Sequence, residues 1–541
     1  MQAMTMLRQL ERLRLEYSPG AATAKLRLLG KLGSTKLPTA SAVRRLHEIL
    51  CWMRAWPDDA RVLDAVSLAL AKFATRTDLR RHRAELDDSG IAGTAIHYHF
   101  FWPTARWLAA RWPTLLYLNR DCGEGEDWLR TAWPVALPWI HAEAAKRSEQ
   151  SPFRILDSLR GSMTDASFFV QGIDHTAGDT LARESLHDAI QPAYVLKPGS
   201  DSPSRTSACW SRARIAFVTA PLEQGRPDLR REVLRPPESI AVAAPRDAAE
   251  LLDLARGAMV TRGRDLDAFS WGNVEDIHIV EDGDGLAFAF IGIVPERRLP
   301  LAAIYGFLIL RNGIPIGYGQ ADALLGSAEI AFNTFDTFRG AASAFIFARL
   351  LAATRALLGS DAYSLEPYQL GDHNKEGIAS GAWWFYFKLG FRPHDPAQKR
   401  IVSSELARMQ RNPRHRSSAA TLTRLARTHL YWEPFRGCRA WLPRIPGIGL
   451  ELPVLSDSEA GQLVRQRLGL RSLAGWSYAE ILGLYRLAPL LAALPGIETW
   501  KPAVKKSAVA VLRAKGGRQE RDFVRRLDAH PQLSAAIKAL L

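Results

Sequence analysis

A chain of 541 residues is too long for one ordinary core, and a working figure of roughly 150 residues per domain points to three or four units. Hydrophobic residues at 47% and charged residues at 23% exclude a disordered or fibrous chain, and the longest near-continuous apolar run, Leu299–Leu310, falls short of the roughly 20 residues of a membrane helix. The net charge of +15 is unevenly held: from Ile401 onward 23 Lys/Arg face 10 Asp/Glu, which leaves the first 400 residues nearly neutral.

The chain opens with Arg8, Arg12 and Arg14 among leucines, an amphipathic pattern without the apolar centre of a signal peptide. Apolar positions three and four apart predict helices over Ser41–Trp56 and Asp58–Ala74, and residues 1–160 read as a mostly helical N-terminal region. Within it, Trp-Pro pairs at 102–103, 112–113 and 133–134 predict short helices with punctuated ends. His97-Tyr98-His99 puts two histidines on one side of an extended segment, but no further ligand cluster accompanies them, and a structural role is expected. Residues 161–270 form a mixed accessory region with a loop or linker at 198–210. Cys51, Cys122, Cys209 and Cys438 lie far apart without a CxxC, so neither a zinc site nor a disulfide framework is expected, and a reducing cytoplasm is the natural compartment.

From about Val274 the pattern turns to strands, at Asp276–Val280, Leu286–Val294, Ala303–Leu310, Ile316–Ala323 and Glu329–Phe335. Asp282-Gly283-Asp284-Gly285 reads as a hairpin turn rather than a calcium loop, and Asn312-Gly313 as a second hairpin. A helix over Ala342–Leu358 ends at Gly359; a strand (Ala362–Tyr368), a polar loop (Gly371–Gly381), an aromatic helix (Ala382–Leu389) and a last strand opening at Gly390-Phe391 follow. That order predicts an α/β (α+β) fold, a mixed sheet with a parallel crossover and flanking helices over 271–395. The remainder, 396–541, is a basic, mostly helical C-terminal region with helices at Asp457–Leu468, Ser477–Leu494 and Arg518–Leu541.

One junction carries chemistry. Arg339-Gly340-Ala341-Ala342-Ser343-Ala344 opens the long helix with small residues, so a pyrophosphate could reach its unpaired backbone amides, with Arg339 adding a full charge. Tyr386-Phe387-Lys388-Leu389-Gly390-Phe391 begins 47 residues after Arg339. The two stretches, in this order and with a helix between them, resemble the acyl-CoA loop (Q/R-x-x-G-x-G/A) and the closing Y-x-K-L-G-F signature of the GNAT acyltransferase superfamily, over about residues 300–393. Two positions depart from the pattern: Ala342 stands at the loop's first glycine, and Ala379 where an asparagine is usual.

The resemblance implies direct transfer of an acyl group, acetyl or another, from CoA to an amine-bearing acceptor, with no metal. Arg339, Gly340, Ala341, Ala342, Ser343 and Ala344 would hold the CoA. Attack needs a deprotonated amine, and Glu329 on the strand before the loop, or Glu366 at the end of the next strand, would be the base, acting through water. Tyr386 would protonate the departing thiolate, and a backbone amide at the end of the Glu329–Phe335 strand would polarise the thioester carbonyl. The alternatives are a solvent-facing strand position for each glutamate and a packed core ring for Tyr386. Two other functions fit the same fold: a transferase using aminoacyl-tRNA, with RNA or another anionic partner on the basic C-terminal region, and a degenerate scaffold acting as a binding module.

Overall fold

The computed structural model describes residues 2–121, 127–176, 178–222, 225–340, 342–452 and 454–541. The chain is of mixed α/β class and divides into two compact units that alternate along the sequence. One comprises residues 1–221, 250–271 and 311–315, the other 222–249, 272–310 and 316–541. The residues from 396 onward therefore belong to the same unit as the predicted sheet.

In the first unit, helices Ala40–Ala55 and Ala60–Ala71 form where the apolar spacing predicts them, capped by Thr39 and Asp59. Three short strands, β1 (Ile96–Tyr98), β2 (Leu116–Leu118) and β3 (Tyr194–Leu196), make an antiparallel sheet in the order β1-β3-β2. Helices pack around it on a core that includes Trp102, Trp133, Phe169 and Tyr194. Trp102-Pro103 opens a helix and Trp112-Pro113 stops it. Trp133-Pro134 does neither: Pro134 lies inside the helix Asp127–Ala136, near its end. His97 bonds Asp88, and His99 bonds the carbonyl of Gln191, so the two histidines serve local structure. The 198–210 segment is a docked loop: Arg205 grips both carboxylate oxygens of Glu48 at 2.6 and 2.7 Å, and Thr206 meets the buried His47 at 2.9 Å. Cys122 lies outside the described residues; Cys51, Cys209 and Cys438 are free thiols.

The second unit is built on nine strands: β4 (Ser239–Val242), β5 (Gly272–Gly283), β6 (Leu286–Ile293), β7 (Ala303–Arg311), β8 (Ile314–Leu324), β9 (Ser327–Thr334), β10 (Ala362–Leu365), β11 (Arg392–Pro393) and β12 (Leu430–Trp432). Their order is β11-β12-β10-β9-β8-β7-β6-β5-β4. The β9–β10 pair is parallel, as the helical crossover between them requires, and β12 enters antiparallel between β10 and β11. The β5–β6 hairpin turns through Asp284 and Gly285, both at positive φ, as a two-residue turn matched to strand twist demands.

The helix Ser343–Leu358 fills the crossover and ends on Gly359 at φ 77°. Its Arg349 is fully buried and reaches Asp282 at 2.7 Å as well as the carbonyls of Glu232 and Arg235. This joins the helix to the β5–β6 hairpin and to the segment before β4. The C-terminal helices are fastened to the sheet by a second buried network. Tyr305 donates to Asp276 at 2.9 Å, Asp276 accepts the Glu520 amide at 2.8 Å, and Lys515 pairs with Glu520. Helices Asp457–Leu468 and Tyr478–Ala493 match expectation and both start with capping boxes; the expected helix over 518–541 is two, broken before Pro531.

Candidate active site

Strand register determines which side chains meet. Asp322 faces Glu329 across β8 and β9, Ser364 faces Glu329 across β9 and β10, and Tyr431 faces Ser364 across β10 and β12. Because side chains alternate along a strand, these four form one row on one face of the sheet. The neighbouring row, Ala323, Ala328, Tyr363 and Trp432, is buried on the other face. The helix Ser343–Leu358 covers that apolar face, with Phe347 edge-on to Phe332 at 5.2 Å and Tyr363 donating to the Leu351 carbonyl. The sheet thus has a polar side and a helix-packed side at the same strands.

On the polar side Glu329 is part-buried rather than solvent-facing. Its carboxylate accepts from Ser364 at 2.9 Å and lies 3.2 Å from His429 Nε2. Glu366, just past β10, continues this face; burial raises its carboxyl above the usual range, the Glu329 charge adds to the rise, and His429 opposes it. Asp322 is pushed up to about 7, chiefly by burial, against the Gln320 hydrogen bond and with the charges of Glu329 and Glu366 adding. A carboxyl raised in the folded chain holds its proton where the unfolded chain, near 3.9, has lost it. The contribution of Asp322 to stability therefore falls as pH rises from about 4 to about 7, by up to about 1.4 kcal/mol per pH unit, and is level above. Asp322→Asn should flatten this decline; melting temperatures at pH 5 and 8 check it, and equal slopes in both proteins refute it.

The small-residue loop sits after β9. Gly340 has φ 84° and open space where a Cβ would stand. Ala342, which takes the loop's first glycine position, is held left-handed at φ 51° and ψ 21° as the N-cap of the helix, with no side-chain cap. Such a conformation costs an alanine about 1 kcal/mol, which the packing of the flanking strand and helix must offset. Ser343 and Ala344 form the part-exposed first turn; Ala341 lies outside the described residues. Arg339 pairs with Asp336 at 2.9 Å and with Glu376, so its charge is shared locally before any anion arrives.

Tyr386 is on the helix-packed side, 2% exposed, with Phe347 at 5.2 Å and Phe391 at 6.1 Å. It is both a packed ring and a placed hydroxyl, since its oxygen lies 2.7 Å from Gln369 Nε2. Burial raises this phenol well above its ordinary value, with the Gln369 bond working the other way, so it carries its proton at any physiological pH. Gln369 ties Tyr386 to the edge of β9 by bonding the Phe332 carbonyl, three residues beyond Glu329, where the pairing with β10 has ended. The strands share three register pairs, ending at Ser364↔Glu329, while β9 runs on to Thr334.

Sequence reasoning missed Asp322, Ser364, Gln369 and His429. Alternation along β8 and β10 marks the first two as facing the same way as Glu329. His429 carries no such signal: it is 100 residues beyond Glu329, beside a three-residue strand in a region that reads as helical. No family model, no curated protein and no solved structure matches the chain.

Proposed function

We propose that the second unit is an acyl-CoA-dependent N-acyltransferase of GNAT type that moves an acetyl or similar acyl group onto an amine. The observation that carries this reading is the parting of β9 and β10 between a part-buried carboxylate, Glu329, on one face and a buried tyrosine hydroxyl, Tyr386, on the other. A thioester lying in that gap would meet an amine and its base from the polar side, and a proton donor for the sulfur from the helix side. Burial keeps the donor protonated, and the uncapped, left-handed start of the helix Ser343–Leu358 leaves backbone amides for the CoA pyrophosphate. Asp322, Glu366 and Glu329 together favour an acceptor that arrives as a cation.

An aminoacyl-tRNA donor draws its support from the basic C-terminal region. There, however, Arg467 and Arg513 pair with Glu498 and Glu480, and Arg486 and Arg525 donate to backbone carbonyls of their own unit. These four cations hold helices together rather than face a partner, and acyl-CoA is the donor we favour. Among the described residues no helix is long and apolar enough to cross a membrane.

The test is calorimetric titration with CoA. Wild type should bind, and Ala342→Glu should lose binding, because its side chain and negative charge take the pyrophosphate position. An unchanged dissociation constant in the variant would remove the loop from the site, and absence of binding in the wild type would overturn the reading.

A further inference from the structure

Past its last pair with β10, β9 stays joined to β8, but the carbonyls on its other edge lack a partner strand. The chain leaving β10 turns through Pro367–Leu370 and sends Gln369 back to this edge, where Nε2 lies 2.7 Å from the Phe332 carbonyl oxygen and 2.7 Å from Tyr386 Oη. A carbonyl oxygen only accepts, so the atom facing it must be the amide NH2 and not the amide oxygen. One of its hydrogens goes to Phe332 and the other to Tyr386. The phenol oxygen is therefore the acceptor in that bond, and its own hydrogen is directed elsewhere. Among the described residues nothing takes that hydrogen, although the side chain is 2% exposed and fixed by Phe347, Phe385 and Phe391. A buried hydroxyl of this kind is costly to leave unpaired unless a ligand completes it.

We infer that Gln369 is a positioning residue that commits the Tyr386 hydroxyl to donate into the gap between β9 and β10, toward the sulfur of the acyl donor. This rests on the transferase reading above. In the step it serves, the amine nitrogen bonds to the thioester carbonyl carbon and the carbon–sulfur bond breaks. Sulfur keeps the electron pair and takes the Tyr386 proton. The Gln369 N–H stabilises the phenolate left behind, and the proton released by the amine restores the phenol. A glutamine suits this task in a way that a carboxylate would not, because a carboxylate would accept the hydroxyl hydrogen itself. An apolar replacement would also misdirect it, since the freed Phe332 carbonyl becomes a competing acceptor.

The sulfur-specific part of binding separates this role from a merely structural one. CoA and desulfo-CoA are titrated into wild type, Tyr386→Phe, Gln369→Met, Gln369→Glu and the Gln369→Met/Tyr386→Phe double variant, with melting temperatures on the same preparations. Wild type should prefer CoA by about tenfold or more, the range of a hydrogen bond to a charged or ionising group, and the preference should grow as pH rises and the thiol ionises. All four variants should reduce the preference to near unity, with the double variant no worse than Tyr386→Phe alone. Gln369 variants that weaken both ligands equally, or that keep the preference, would overturn the inference and leave the transferase reading standing, as would a wild type that binds both ligands alike. A wild type that binds neither would overturn the transferase reading, and the inference with it.

Discussion

Tyr386→Phe should lower the single-turnover rate of acyl transfer by about 10²–10⁴-fold while leaving the affinity for desulfo-CoA and thermal stability nearly unchanged. The substitution keeps the ring that Phe347 and Phe391 pack against and removes only the hydroxyl bonded to Gln369. Expulsion of an alkyl thiolate into a buried site is poor without a proton, and burial keeps this phenol protonated, so the hydroxyl would supply what the leaving group lacks. The fold loses little: one hydrogen bond, worth about 0.5–1.5 kcal/mol, which leaves Gln369 its bond to Phe332. Thiol release from acetyl-CoA in the presence of a panel of amines, alongside melting temperature, gives both quantities on one preparation. A variant with wild-type turnover and a lower melting temperature would make Tyr386 a packing residue.

The largest stability effect is expected at Arg349. Its guanidinium is fully buried in the middle of the helix Ser343–Leu358, held by Asp282 and by backbone carbonyls on both sides of the β4 connection. Arg349→Met keeps much of the volume but leaves the buried Asp282 carboxylate with only the half-exposed Arg235, 3.7 Å away, as an ionic partner. Removing one partner of a buried pair costs about 3–5 kcal/mol, because the remaining charge is not hydrated, and here Arg235 compensates it only in part. At a few degrees per kcal/mol, the melting temperature should fall on the order of 10 °C. Adding Asp282→Asn should recover part of that loss, since the stranded charge and not the missing contact dominates it. Arg349→Lys should cost less than Met yet more than nothing, keeping the charge while losing the planar fork that serves several acceptors at once. A drop of under 2 °C for Arg349→Met would show that the network is hydrated and weak.

Between Leu286 and Leu358 the sequence by itself determined the strands, the long helix and their order. Beyond Leu358, the strand expected to reach Tyr368 stops at Leu365 before Pro367, and the expected loop over Gly371–Gly381 holds a short helix, Lys375–Ser380. Alternating branched and aromatic residues favour extended backbone on a half-buried surface. Asp284-Gly285 and Asn312-Gly313 supply the positive φ that tight turns require, and Gly359 ends the long helix in the same way. In the C-terminal region the two helices expected at Asp457–Leu468 and Ser477–Leu494 start at capping boxes, Ser456 with Glu459 and Ser477 with Glu480, which act within one turn. These are all local energies, legible from neighbours a few residues away. Alternation also pointed Glu329 to one face of its strand, though not to any particular partner.

The tertiary structure decided the rest. A three-residue strand such as β12 has too little pattern to declare itself, and its place between β10 and β11 comes from the hydrogen-bonding edges those strands leave open. That placement, not any motif, brings His429 to Glu329. Gln369 meets Tyr386 because β9 and β10 diverge and expose a carbonyl that must be paired. Arg349 finds Asp282 across 67 residues because neither charge could be buried alone. Ala342 accepts a left-handed backbone because the packed helix and strand on either side outweigh its roughly 1 kcal/mol cost. Each of these rests on a contact between residues far apart in the chain, whose favourable energy exists only once the sheet has closed. No local pattern in the sequence can carry it.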